Sequence, residues 1–318
     1  MKTIAFLDKK ERIKQFHIED VPVCDTHTHI FMETAENPVD ALVEARRCNV
    51  CSIITPLDPC DEAEDADATL ERMHAVYAEA EERLSEDTDE VSSSELDSTS
   101  LELGFLVGAH PYHAQKFVRD EARIWDAFKT YEQDAAFVGV GEIGLDYTCS
   151  VDKSVQRDVF EQQLAFACEH DYPVELHIRD ERDDEQTSAH KDALAVLKEV
   201  GIPQAGCVLH CFTQGPDVAY PFLEQGLFVA FGGALTFTKS DEIRDALLIV
   251  PNDRILIETD APFMAPVPLR GQTATPAMAA LVAQYAAQYC SEHQKDTTPK
   301  QYLETFWRNS NFLRRRLS

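Results

Sequence analysis

Eight short apolar runs alternate along the chain with segments of helical periodicity, and this alternation restricts the fold more than any other feature. The runs occupy residues 21–25, 50–55, 104–109, 137–141, 173–178, 206–211, 227–231 and 254–258. Each has strand length and is mostly β-branched or aromatic. Their continuous apolar character suits strands covered on both faces, as in a parallel sheet. Between them, segments such as 154–170 place Val155, Val159, Leu164, Phe166 and Ala167 at helical spacing among polar residues. Eight strands alternating with helices predict a TIM (β/α)8 barrel, with 278–289 and 302–313 as closing helices. At 318 residues the whole chain, 1–318, is expected to form one such domain.

Charge bounds what such a barrel can bind. Against 57 Asp and Glu stand 29 Lys and Arg, a formal net of −28. That excludes a generic nucleic-acid coat or a polybasic membrane binder, which need surplus cations. It leaves room for a small phosphate site. The imbalance is uneven: residues 56–103 carry seventeen acids and two bases, Arg72 and Arg83. Within that stretch, 63–84 has Leu70, Met73, Val76, Tyr77 and Ala80 in helical register. Residues 85–100 are dominated by Ser, Thr, Asp and Glu, a composition that does not pack. Together they predict a helix and a flexible, solvated acidic loop inserted between the second and third barrel strands.

Other features bound location. No run of 18 apolar residues is present, so no transmembrane helix or other membrane association is expected. The opening MKTIAFLDKKERIKQF lacks the apolar length and small-residue site of a signal peptide. Nine cysteines lie at scattered spacings, with Cys48 and Cys51 forming one CxxC and Cys207 and Cys211 four apart. Most of these are expected to be small buried residues in a reducing cytoplasm. No stable protein partner is expected.

The chemistry is concentrated where the runs end. In a β/α barrel the catalytic groups lie at the C-terminal ends of the strands. The first run leads into Asp25-Thr26-His27-Thr28-His29, and the third into His110-Pro111-Tyr112-His113. The fourth leads into Glu142, with Asp146 beyond. The fifth carries His177 and Arg179, the sixth His210, and the eighth leads to Asp260. His27 and His29, two residues apart on extended chain, share one face about 6.5 Å apart, so both imidazoles can reach one cation. That pair alone is weak, since about 0.4 such pairs arise by chance in a chain of this histidine content. Its convergence with His177, His210, Glu142 and Asp260 is the stronger signal. Nitrogen and oxygen donors without thiolate suit Zn, Mn, Co or, less well, Mg. Four histidines and two carboxylates suffice for two divalent metal ions with open positions, able to clamp both oxygens of a displacement at phosphorus. Asp260 and Glu142 are the expected catalytic carboxylates, with Asp260 placed to orient or deprotonate water. Arg179 offers a planar fork for phosphate.

The motifs DTHTHI, GAHPYH, GVGEIGLDY, PVELHIRD, GCVLHCF and ILIETDAPFMAPVPLRG appear in this order. In that set and order the chain resembles the TatD family of metal-dependent deoxyribonucleases, within the metal-dependent hydrolase superfamily, over about residues 21–315. The resemblance implies a first metal site of His27, His29, Glu142 and Asp260 and a second of Glu142, His177 and His210. It also implies hydrolysis of DNA phosphodiesters, often from an end. His110, His113, Arg179 and Arg270 are then the expected substrate contacts, and the partner is DNA in short or single-stranded form.

Three departures bear on those contacts. The family's His-Pro-His is here His110-Pro111-Tyr112-His113, one residue longer. After Arg270-Gly271 the usual Asn is replaced within TATP, at Ala274. The acidic insertion can cover the mouth or repel a long polyanion. Two competing expectations remain. An amidohydrolase, deaminase or lactonase on the same barrel often uses a carboxylated lysine near the fourth strand, where this chain has Glu142. A non-catalytic scaffold predicts a broken ligand set, and all six positions are filled.

Overall fold

The structure is a computed structural model, and it describes residues 1–32, 37–61, 65–90, 100–294 and 297–315. The barrel strands are β3 (Val23–Asp25), β4 (Val50–Leu57), β5 (Glu102–Val107), β6 (Phe137–Asp146), β7 (Val174–Arg179), β8 (Cys207–Leu209), β9 (Phe228–Phe231) and β10 (Ile255–Ile257). They follow the N-terminal strands β1 (Lys2–Leu7) and β2 (Ile13–Ile18). One eight-stranded sheet carries the order β10-β9-β8-β7-β6-β5-β4-β3, with helices between strands. This is the TIM barrel expected from the alternation. Its ends meet through Thr26 N–H to Ile257 O at 3.0 Å and a parallel bridge between Thr28 and Ala261.

All eight apolar runs became strands, with shifts of one to several residues at their ends. The largest departure is β6, which continues past Gly141 through Glu142 to Asp146 with every residue buried. Its ladder with β7 shifts register between Val140 and Ile143, an irregularity of the kind that re-aims a side chain. Gly141 fits there because an added Cβ would lie 2.9 Å from Glu175 Cβ.

By packing, the chain resolves into two compact units. The first comprises Met1–Thr55, Glu71–Leu103 and Ala230–Asn311; the second comprises Pro56–Leu70, Gly104–Val229 and the chain from Phe312 on. The first unit contains a β-hairpin absent from the sequence expectation, in which β1 and β2 pair antiparallel from Lys2 opposite Ile18 to Leu7 opposite Ile13. Asp8 organises its turn, accepting from Lys10 N–H, Arg12 N–H and the Arg12 guanidinium. The second unit is packed with rings: Trp125 lies 5.5 Å from Phe117, 5.0 Å from Phe128 and 5.1 Å from Phe166 between centroids.

The helices follow local signals. Lys153–His170 is capped by Asp152, whose carboxylate accepts from Ser154 N–H at 2.8 Å. The expected final helix over 302–313 is two: Pro299–Asn309, opened by a Thr298/Gln301 capping box, and Asn311–Arg314. Asn309 anchors the break, donating from a buried amide to Asn252 O and Ile255 O. In the acidic stretch the helix Ala66–Glu90 runs past the expected end at residue 84, so the loop does not begin at residue 85. Ser85, Asp87, Thr88 and Asp89 are weak helix formers, so local propensity does not account for this extension. Residues 91–99, the rest of that expected loop, lie outside the described residues. Within the first unit, Met73 and Ala80 of this helix are buried two turns apart, and Tyr77 donates to Leu101 O at 2.6 Å.

Among the described residues, no helix is long and apolar enough to cross a membrane. All nine cysteines are free thiols. Cys48 and Cys51 are buried, and burial pushes the Cys48 thiol up to about 12, which suits packing rather than redox chemistry.

Met73 tests whether the acidic helix is part of the core. Met73→Ala is expected to lower unfolding free energy by about 2–5 kcal/mol, as for other large-to-small core changes. A urea unfolding midpoint unchanged from the parent would show that the helix is a detached appendage.

Candidate metal centre

In the first unit three side chains converge. His27 and His29 follow β3, and Asp260 follows β10. His27 Nε2 lies 3.1 Å from His29 Nε2, and Asp260 Oδ1 lies 3.8 Å from the former and 3.4 Å from the latter. Donors on a tetrahedral cation at about 2.0–2.1 Å are separated by about 3.3 Å. The three atoms therefore already stand at the spacing a divalent ion requires, two neutral imidazoles facing one carboxylate. This donor set fits a metal.

The backbone explains the convergence. Asp25, fully buried at the end of β3, accepts from Thr259 N–H at 2.8 Å and Thr259 Oγ1 at 2.6 Å. Burial drives the Asp25 carboxyl well above its ordinary range, Glu258 adds to that, and the Thr259 bonds oppose it. Two further bonds continue the clamp: Asp260 N–H to His27 O at 3.0 Å and His29 N–H to Ala261 O at 2.8 Å. Asp260 itself has φ of 53°, a left-handed conformation uncommon outside glycine and asparagine and one often found at functional positions.

In the second unit the centre is Glu142. Its Oε1 lies 2.6 Å from His177 Nδ1, 2.9 Å from His210 Nε2 and 3.8 Å from His110 Nε2. The other His177 nitrogen, Nε2, faces Asp146 Oδ2 at 2.9 Å. The strands dictate this arrangement. Glu142, Gly144 and Asp146 alternate on one face of β6, and Gly144 pairs with His177 of β7. Gly144 has φ of 142° and packs directly on the His177 carbonyl, so the imidazole sits between the two carboxylates. Burial pulls the His177 pKa down, but Glu142 and Asp146 outweigh it and raise the value. A carboxylate on the far nitrogen of a ligand histidine fixes its tautomer and orientation, and Asp146 is placed for that role toward His177. Burial alone would raise Asp146. Hydrogen bonds from His177 and from Thr148, at 2.8 Å from N–H and 2.5 Å from Oγ1, bring it instead to about 2.

His110 is held differently. Its Nδ1 accepts from Tyr112 N–H at 3.1 Å, which leaves the proton of the neutral ring on Nε2, the atom facing Glu142. Burial, then the neighbouring His177, lowers its pKa to about 4, so the ring is neutral near pH 7. Such a ring donates toward the centre rather than ligating.

The other expected substrate contacts stand apart. His113 Nδ1 lies 2.7 Å from Asp58 Oδ2, and this bond chiefly raises its pKa. Asp58 also accepts from His110 N–H and Cys60 N–H. Arg179 is exposed at the end of β7, and Arg270 is exposed with its guanidinium 4.1 Å over the Phe237 ring. Within their units the structure thus groups His27, His29 and Asp260, and groups Glu142, His177, His210 and His110. Asp25 and the orienting role of Asp146 went unassigned in the sequence. The only signal was their place in the DTHTH and GEIGLDY motifs.

A family model described as TatD related DNase matches residues 24–311. The chain belongs to this family. This TatD-family chain is 36% identical to the uncharacterized metal-dependent hydrolase YcfH of Escherichia coli K12 over 184 residues, covering 58% of this chain and 64% of the relative. It is 35% identical over 166 residues to a Pantoea vagans protein named 3'-5' ssDNA/RNA exonuclease TatD, covering 51% and 59%. The match therefore spans less than two thirds of each of these relatives. In fold, the TatD homologue YjjV of Escherichia coli superposes with a TM-score of 0.68 at 24% identity, covering 92% of this chain and 97% of the other. A TatD family hydrolase of Entamoeba histolytica superposes with a TM-score of 0.65 at 16% identity.

Two substitutions test the orienting groups. Asp146→Asn is expected to weaken metal affinity about 10- to 100-fold, by titration calorimetry, with little change in fold. Thr259→Val deprives buried Asp25 of one bond and should cost about 1–3 kcal/mol, together with loss of metal at the His27/His29/Asp260 cluster. If either variant holds metal as tightly as the parent, its orienting role is wrong.

Proposed function

We infer that this chain is a metal-dependent phosphodiesterase that hydrolyses DNA from short or single-stranded ends. The observation that carries this reading is the pair of donor clusters, one of which already stands at tetrahedral spacing. Membership of a family described as TatD related DNase supports a nuclease reaction, and the exonuclease name of the Pantoea relative supports single-stranded ends. His27, His29 and Asp260 would hold one divalent ion, and Glu142, His177 and His210 a second; Zn, Mn, Co and Mg are the candidates. Bound there, such ions supply Lewis-acid polarisation of a phosphoryl oxygen and lower the pKa of water.

The protein's own groups do the remainder. Asp260 orients the attacking water and accepts its proton. His110, neutral with its proton on Nε2, donates to a phosphoryl oxygen. Arg179, free at the end of β7, grips a neighbouring phosphate with its planar fork. Asp146 keeps His177 in the ligating orientation. The acidic surface disfavours a long duplex, so binding to duplex DNA is weak and falls steeply with salt.

Metal analysis paired with an assay panel tests the reading. The parent protein should carry about two ions and cleave single-stranded DNA faster than duplex. Glu142→Ala should lose metal and activity together, and chelation of the parent should do the same. Full cleavage by metal-free Glu142→Ala protein would sink the assignment. Hydrolysis of amides or lactones with no phosphodiester cleaved would favour the amidohydrolase class instead.

A further inference from the structure

Three aromatic side chains are exposed among the described residues: Tyr112, Tyr220 and Phe263. Two of the three lie against histidines of the metal clusters. In the first unit, Phe263 is 47% exposed and its ring meets His29 edge-to-face, with centroids 6.2 Å apart and planes at 79°. In the second, Tyr112 is 45% exposed and meets His110 in the same way, at 4.5 Å and 84°. The pattern thus occurs independently in each unit, beside one histidine of each cluster.

Neither ring is exposed by looseness. Phe263 sits on the turn that carries Asp260, closed by Phe263 N–H to Asp260 O at 2.8 Å. Met264 beyond it is left-handed at φ of 48°, Ala274 N–H binds Pro262 O at 3.0 Å, and the Met264 carbonyl packs on Gly233. Tyr112 is the middle residue of the 3-10 turn Pro111–His113, pinned by its own N–H on His110 Nδ1 and by His113 N–H to His110 O at 2.8 Å. Each turn therefore holds a large apolar face in water at a fixed distance from a site histidine, although most of the other aromatic rings are covered.

We propose that Phe263 and Tyr112 are stacking platforms for unpaired nucleobases, holding the base of the nucleotide whose phosphate lies at the adjacent cluster. This rests on the phosphodiesterase reading and adds the recognition element that it lacks. An acidic chain gains little from phosphate attraction, whereas stacking on an aromatic face is indifferent to charge and tolerant of sequence. It also requires a base out of its duplex, which selects single-stranded or frayed ends. Phe263 sits on the same turn as Asp260, so a base stacked there fixes its own phosphate relative to that carboxylate.

The test compares holoenzyme variants on an oligonucleotide with a normal terminal base and on one whose terminal nucleotide is abasic. Phe263→Ala is expected to raise KM for the normal substrate about 5- to 150-fold and to leave the abasic substrate unchanged. Phe263→Trp should restore the preference for the normal end, whereas Phe263→Leu, which keeps apolar bulk without a π-face, should not. Tyr112→Ala should behave like Phe263→Ala, and Tyr112→Phe like the parent. Because stacking releases no counterions, the salt dependence of KM should keep its slope. Equal losses on normal and abasic substrates, or loss of bound metal in Phe263→Ala, would mean that the rings only buttress the histidines and would overturn the proposal. So would equal KM for the parent on both substrates. If the parent cleaves neither substrate nor any other phosphodiester, the phosphodiesterase reading itself fails; cleavage without base preference removes only the stacking role.

Discussion

The hydrogen bonds between Asp25 and Thr259 are the constraint on which the first unit's chemistry depends. A carboxylate buried without partners costs several kcal/mol, so its position is dictated by whichever donors can reach it. Here those donors are the N–H and hydroxyl of one residue directly after β10. Satisfying Asp25 therefore fixes where the first barrel strand ends relative to the last. His27 and His29 lie two and four residues beyond Asp25, and Asp260 lies next to Thr259. The 3.1–3.8 Å spacing of these three side chains follows from a set of bonds outside them. The second unit uses the same device in another form, with Asp146 held by Thr148 and turned onto His177.

Charge has two different origins in this chain. A quarter of the −28 lies on the helix Ala66–Glu90, where Glu79 and Asp40 pair with Arg83 on the exposed side while Met73 and Ala80 face inward. Those exposed pairs contribute little to stability, about 0–1 kcal/mol each. Other acidic residues are buried: Asp25 against Thr259, and Glu142 and Asp146 against histidines. Carboxylates in that setting are expensive without a cation or a full set of donors. The surface charge repels a polyanion, and the interior charge calls for a cation. An acidic exterior, with buried carboxylates inside each unit, is what the chain combines.

The barrel was legible because each parallel strand is buried on both faces, and eight continuous apolar runs are hard to place otherwise. The six candidate donors stood out because they lie in or just after those runs. What escaped the sequence shares a physical cause: it depends on partners distant in the chain. The strand from Gly141 to Asp146 is broken by glycines that look like a turn, yet they permit the close approach of β7. The N-terminal hairpin alternates too briefly, with too many exposed polar residues, to stand out from a loop. Asp25 bonds across 234 positions and Asp146 across 31, and no local period records either.

The segment after β5 gives its two histidines different roles. His110-Pro111-Tyr112-His113 folds into a 3-10 turn, and the backbone N–H of Tyr112 occupies His110 Nδ1. That bond decides the tautomer, and the tautomer decides that His110 presents a donor and not a lone pair toward Glu142. The same turn delivers His113 to Asp58, with Asp61 3.7 Å away, so its proton is shared with carboxylates of the segment after β4. A histidine so engaged offers less to a phosphate than one facing the centre. Of the two histidines in this motif, His110 is therefore the one whose position, charge state and hydrogen all suit contact with an acceptor oxygen.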